Sequence, residues 1–405
     1  MKEFETYILP NGIKGIHRRV KSSISHCALV INAGTRDERK DEYGLAHFAE
    51  HAIFKGTERR KAYQVNCRLE NLGGELNAYT TKEDTTIHAT TLKTDFSKAA
   101  ELIADVAFHS TFPEKELAKE REVIVDEINT YKDSPADLIF DNFEELLFTD
   151  SELGHNILGT KSSLMHFGTE NIKRFLARTH TTDQMVFSSI GNIPLSRIQS
   201  VAERYFGQRE ASTRTFSRTA PETTPQFEKV LNKHTHQIHC IIGARAYDIH
   251  SEQRLPLSLL INILGGPSAN SRLNVVLREK NGLSYNIEAS YVPYNDCGMV
   301  AIYFSSDHHN ADHCRELIDK ELQSLRTTAL STRNLAMIKR QFLAQMAISM
   351  ENNEGYMLGA GKSYLIHDEI DTLEEVYRKV TAVKAEQIME VANDIFAKTS
   401  TLIYR

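Results

Sequence analysis

Between Gly44 and Gly56 the chain reads Gly-Leu-Ala-His-Phe-Ala-Glu-His-Ala-Ile-Phe-Lys-Gly, with His47, Glu50 and His51 set among apolar residues and Lys55 at the end. Leu45, Ala46, Phe48, Ala49, Ile53 and Phe54 predict a buried helix, and Gly56 stops it. On that helix His47 and His51 are one turn apart and share a face, and Glu50 lies close to it. Burying two imidazoles and a carboxylate without partners is costly, so any fold of this chain must supply something for them to bind. A metal ion satisfies all three. The order H-x-x-E-H gives two nitrogen ligands and leaves a coordination position open, which suits a catalytic zinc. Glu50 can then act as general base toward a water at the metal without being a ligand. The competing reading is that so short a pattern arises by chance; the surrounding apolar helix argues against it.

A tetrahedral site needs a third protein ligand. The next long helix is predicted from about Pro113 to Tyr131, with proline at its start. Ile124 and Ile128 mark its apolar stripe. Glu120 and Glu127 lie two turns apart on the polar face, with Val123 between them, and the spacing does not choose between them. Either could bind metal while the other orients a histidine. Glu114, Glu116 and Glu122 read as a solvated acidic face.

These residues carry a family resemblance. The run His47 to Thr57 resembles the active-site segment of the pitrilysin-type (inverzincin) zinc metallopeptidases. That family includes insulin-degrading enzyme and, in its two-domain branch, mitochondrial processing peptidase and bacterial processing proteases. The similarity continues through Gly73-Gly74-Glu75-Leu76-Asn77-Ala78-Tyr79-Thr80 and through Glu120 to Ile128. It implies that His47, His51 and Glu127 hold one zinc per chain, that Glu50 is the catalytic base, and that Glu120 supports the site from behind. It also implies that Asn77, Ala78 and Tyr79 hold the substrate as an added β-strand.

Composition excludes other classes. With 54 acidic against 48 basic side chains, nothing suggests a nucleic-acid binder. No apolar run approaches the roughly eighteen residues of a transmembrane helix. The N-terminus reads as strand, Asn11-Gly12 turn, strand, and lacks the apolar core of a signal peptide. The five cysteines (Cys27, Cys67, Cys240, Cys297, Cys314) are scattered and odd in number, which favours free thiols and a cytoplasmic location.

A boundary falls near Gly207. Residues 209–226 are rich in Ser, Thr, Arg, Glu and Pro and read as a solvated linker. This divides the chain into 1–208, carrying the zinc motif, a linker at 209–226, and 227–405. The halves read as divergent copies: His26-Cys27-Ala28-Leu29-Val30 opens one and His239-Cys240-Ile241-Ile242 the other. Each leads to an apolar helix. The second copy has Leu260 and Leu264 near the ligand positions and no H-x-x-E-H. Strands such as Thr85–Thr90 and Met299–Phe304 come in blocks with long helices. The expected fold class is α+β, two homologous domains, each a mostly antiparallel sheet with helices on one face.

In the second half, Arg278 to Tyr285 resembles the family's distal segment. The resemblance implies that Arg278 contacts substrate and that the Tyr285 hydroxyl stabilises an oxyanion. By its own pattern Tyr285 is an ordinary member of the strand Tyr285, Ile287, Ala289, Tyr291. His234, His236, His239, His308, His309 and His313 lack acidic or cysteine partners at firm spacing and read as surface residues. Gly265-Gly266-Pro267 is a turn after a helix. The expected function is a zinc endopeptidase acting on peptides or unfolded segments. A non-catalytic partner subunit of a heterodimer is the alternative, and a structural zinc protein would have no use for Glu50. Two domains per chain imply a homodimer, in which Arg278 and Tyr285 of one chain reach the zinc of the other.

Overall fold

The computed structural model describes residues 3–223 and 225–405. The first half runs β1 (Glu5–Ile8), β2 (Lys14–Arg19), β3 (Ile24–Ile31), α1 (Leu45–Ala52), α2 (Ala62–Glu70), β4 (Glu75–Thr80) and β5 (Thr85–Leu92). It continues with α3 (Phe96–Phe108), α4 (Glu114–Lys132), α5 (Pro135–Leu147), α6 (Lys161–Leu164), α7 (Thr169–Thr179), β6 (Met185–Gly191) and α8 (Leu195–Tyr205). The second half runs β7 (Glu228–Leu231), β8 (Ile238–Ala246), α9 (Arg254–Gly265), β9 (Ile287–Pro293), β10 (Gly298–Ser306), α10 (Ala311–Thr327) and α11 (Thr332–Met350). It ends with α12 (Asn353–His367), α13 (Leu373–Ala382), α14 (Ala385–Ile395) and β11 (Ser400–Tyr404).

Two sheets form. One has the order β1-β2-β6-β3-β5-β4 and the other β7-β11-β8-β10-β9. Apart from β1 the two orders correspond strand for strand. In each, one pair is parallel (β2 with β6, β7 with β11) and the other pairings are antiparallel. The chain is therefore a duplicated, mostly antiparallel α+β unit.

Helices cover both faces of each sheet, not one. In the first, Leu29, Ile31 and Phe187 pack with α1, α3 and α4, while Ala28, Val30 and Val186 on the opposite face pack with Met357, Ala360 and Tyr364 of α12. This explains why Cys27 to Ile31 is buried without alternation. At Gly361 a Cβ would lie 3.0 Å from Ser188 Oγ and 3.1 Å from Val30 Cγ2, so glycine lets α12 approach the sheet. In the second sheet, Ile241, Ala301 and Leu402 pack with Ile139, Phe143 and Leu147 of α5. Gly243 leaves room there for the Phe143 ring.

Each compact unit thus takes one helix from the other half of the sequence. One unit comprises the chain up to Asn129, His155–Arg218 and Ile348–Thr372; the other comprises Thr130–Gly154, Thr219–Ala347 and Leu373–Arg405. This differs from a contiguous division into 1–208 and 227–405, because a two-faced apolar sheet needs a cover that its own half does not provide. The segment 209–226 is also not simply a solvated linker. Arg218 Nε and Nη2 bond the buried Asp37 carboxylate at 2.9 and 2.7 Å, and Nη2 donates to Glu83 O at 2.8 Å. Burying Asp37 and Glu83 needs compensating charge, and the segment supplies it.

Candidate metal centre

Helix α1 starts at Gly44, whose φ is +96°, where a Cβ would meet Gly159 Cα at 2.8 Å. The helix tightens into a 3-10 turn, Ile53–Lys55, and ends at Gly56, whose φ is +130°. Its apolar side is sunk in the core, and His47 is 7 % exposed. Helix α4 presents Ile124 and Ile128 to the core and buries Glu120, while Glu127 is half-buried.

His47 Nε2 lies 3.8 Å and His51 Nε2 3.6 Å from Glu127 Oε2. The three prospective ligand atoms fall within 4.8 Å of one another. These separations are too long for hydrogen bonds and close to the ~3.4 Å between two ligands of one tetrahedral zinc. His47 Nδ1 is buried with no hydrogen-bond partner among the described residues, and burial lowers this ring's pKa to about 3, with His51 adding to the effect. A buried, neutral imidazole short of polar contacts fits a metal ligand. His51 Nδ1 lies 2.8 Å from Glu120 Oε1, and Lys55 Nζ lies 2.5 Å from Glu120 Oε2. Burial alone would lower the His51 pKa, but Glu120, Glu50 and Glu127 outweigh it and raise it. Burial would raise the Glu120 carboxyl; hydrogen bonds from His51 and Lys55 hold it low instead.

The Glu50 carboxyl is held above the usual carboxylate range by burial, against the pull of His51 and a hydrogen bond from Thr80. It opens with His51, Phe54 and Lys55 into a cleft of about 350 Å³, closed by Leu76, Asn77 and Ala78 of β4. Strand β4 is the last in its sheet, so one of its edges is unpaired. Asn77 and Ala78 therefore line the cleft, whereas the Tyr79 ring packs edge-on toward His88, 6.1 Å away.

Arg278 and Tyr285 belong to the other compact unit. Arg278 lies in the last turn of a π-helical segment, Asn274–Lys280, and its guanidinium sits 4.6 Å from the Tyr285 ring centroid. Tyr285 is not a strand residue: β9 begins at Ile287, and Tyr285 is 79 % exposed. Sequence reasoning missed the roles of Lys55 and Thr80. Lys55 was signalled by its place one turn beyond His51; Thr80, across the sheet, had no such signal.

A duplicated α+β chain whose H-x-x-E-H helix faces a carboxylate from a second helix, beside an open sheet edge, has the architecture of a metallopeptidase. The chain belongs to the insulinase family, peptidase family M16. The family model described as Insulinase (Peptidase family M16) matches residues 16–161, and the one described as Peptidase M16 inactive domain matches residues 166–342. A Bacillus subtilis protein named uncharacterized zinc protease YmxG is 32% identical over 372 residues, covering 92% of this chain and 90% of that one. A Rickettsia felis uncharacterized zinc protease is 31% identical over 376 residues, with the same shares. A crystal structure of a protease from Helicobacter pylori superposes with a TM-score of 0.92 at 19% identity, covering all of both chains. A Pseudomonas fluorescens structure described as a peptidase M16 inactive domain gives 0.91 at 17% identity, covering 100% of this chain and 98% of that one. At those identities the two structures speak for the fold.

Proposed function

We propose that this chain is a zinc-dependent endopeptidase that hydrolyses peptides or unfolded segments. The observation that carries the reading is the convergence of His47 Nε2, His51 Nε2 and Glu127 Oε2 on one point, with the Glu50 carboxyl in the adjoining cleft. His47, His51 and Glu127 would hold one zinc per chain, which when bound supplies a Lewis acid for the scissile carbonyl and for water. Glu120 orients His51 through Nδ1, and Lys55 neutralises Glu120. Glu50 takes the proton from the attacking water and later delivers it to the leaving amine. Its raised pKa suits both steps, since an acid–base catalyst works best near the operating pH. The free edge of β4 holds the substrate backbone at Asn77 and Ala78, so many side chains are tolerated.

Arg278 and Tyr285 are exposed donors suited to a substrate carbonyl and a developing oxyanion. We assign them to the site of a second identical chain, in a homodimer that encloses two equivalent centres. The test is metal analysis together with cleavage of an unstructured peptide, with and without a chelator. One zinc per chain and chelator-sensitive cleavage are expected. A metal-free protein, or cleavage indifferent to chelation, rejects the reading.

A further inference from the structure

Helix α1 is eight residues long and opens on a glycine that has no side chain to cap it. Its first N–H groups must find acceptors elsewhere. Glu38 supplies them. Its side chain is fully buried; Oε1 accepts from Ala46 N–H at 2.6 Å and Oε2 from Gly44 N–H at 2.9 Å. The same Oε2 lies 2.8 Å from His155 Nε2. The His155 ring stacks on Tyr43, with centroids 3.9 Å apart and planes 10° apart. Its carbonyl accepts from the buried Lys82 Nζ at 2.5 Å. Three stretches of chain thus meet at the start of α1: the loop Ala33 to Glu38, buried throughout, the β4–β5 turn carrying Lys82, and the segment at His155.

We propose that Glu38 and His155 form a positioning pair that sets the aim of α1, and through it the placement of His47 and Glu50. The inference rests on the zinc-peptidase reading above. His47 follows Ala46 directly, and Glu50 lies one turn further on. A two-turn helix has little length over which to absorb a tilt at its first turn, so an error there passes to both residues. A misplacement of about 1 Å at a catalytic group can cost on the order of a hundredfold in rate. A carboxyl group suits this post because its two oxygens meet two backbone donors and an imidazole nitrogen at once. Burial pushes its carboxyl well above the usual range, against those two N–H bonds.

The test uses the full-length protein. Glu38→Gln keeps the shape but turns an acceptor into a donor facing other donors. The expected result is a folded protein whose zinc dissociation constant rises about tenfold or more. On an unstructured quenched-fluorescent peptide, kcat should fall about tenfold or more with KM within about threefold. His155→Phe retains a ring against Tyr43 but removes Nε2; it should shift both quantities the same way, and it carries the test should Glu38→Gln fail to fold. Because the two act as a unit, the double variant should lose little more than Glu38→Gln alone. Ile198→Ala, a cavity in the core beneath α8, controls for simple loss of stability and should move neither zinc affinity nor kcat by more than about twofold. Zinc affinity and kcat within twofold of wild type in both single variants overturn the proposal, as do shifts that Ile198→Ala matches. A wild type that binds zinc yet cleaves nothing rejects the peptidase reading, and the zinc arm still judges the pair. A wild type without zinc affinity rejects both.

Discussion

Glu50 and Glu127 are both half-buried carboxylates close to His51, yet their surroundings differ, and the proposed mechanism gives them different tasks. Glu127 Oε2 stands between two imidazoles, whereas Glu50 meets Thr80 and the cleft. Glu50→Gln should therefore keep zinc while peptide hydrolysis falls about a hundredfold to ten-thousandfold, the usual worth of a general base. Near wild-type cleavage by that variant would falsify the mechanism. Glu127→Gln should abolish zinc binding, whereas Glu120→Gln, which disturbs the bond to His51 Nδ1 and the ion pair with Lys55 but removes no ligand, should weaken it about ten- to a hundredfold. Zinc titrations showing the reverse order would exchange the two roles. The two histidines and Glu50 were readable as candidates from spacing alone. The choice between Glu120 and Glu127 was not, because both lie on one polar stripe and only the position of α1 against α4 separates them. A third prediction lies away from the site. His17 in β2 is fully buried, with Nδ1 2.9 Å from Ser189 Oγ and Nε2 2.9 Å from Ile193 O. Burial lowers its pKa below the ordinary 6.5. The folded state therefore disfavours the proton: the stabilisation is complete above pH 6.5 and is lost as pH falls toward the folded value. The urea midpoint of the wild type should drop more steeply below that pH than that of His17→Gln; parallel slopes would remove His17 from the account.

At the scale of elements, what was legible were those whose residues interact with near neighbours. The α1 pattern, the proline start of α4, the Asn11-Gly12 hairpin and the sequence echo between β3 and β8 are local signals, and each appears in the fold. What was not legible was the exchange of α5 and α12. Their apolar faces state that something must be covered, but not which sheet. The unbroken apolar run Cys27 to Ile31 is a hint in the sequence that the sheet has two covered faces, where helices on one face were expected. The exchange makes a prediction that sequence distance would not suggest. Met357 on α12 is fully buried against the first sheet. Met357→Ala should cost about 2–5 kcal/mol. Hydrogen exchange should speed up in β3 and β6, far away in sequence, while β8 and β10 in the second sheet keep their protection. Faster exchange confined to the second sheet would contradict the packing described here.

For the whole molecule the open question is what completes the site. The candidate metal ligands lie in one compact unit, and Arg278 and Tyr285 in the other. Both are exposed, the guanidinium resting on the phenol ring and paired with the exposed Glu279 at 3.8 Å. An exposed aromatic–cation pair in a duplicated unit that has lost its own H-x-x-E-H is poorly explained by folding alone, since neither side chain adds to the core. It is well explained if the pair serves a centre on another chain. Because each chain carries both parts, a two-fold pair of identical chains would complete two sites without any different partner. The expectation of a homodimer rests on the family resemblance and the two domains per chain, not on the local residue pattern, because an isologous interface is a property of a surface. The test is complementation. Glu50→Gln chains and Tyr285→Phe chains, each inactive alone, are mixed under conditions where subunit exchange is monitored independently. If sites are composed across the two chains, a mixed dimer pairs one intact Glu50 with one intact Tyr285, and one of its two centres works. Random exchange of equal amounts makes about half the dimers mixed, so activity should return to about a quarter of wild type at the same chain concentration. Exchange without any return of activity would mean that Tyr285 acts within its own chain or not at all, and the homodimer would lose its catalytic reason.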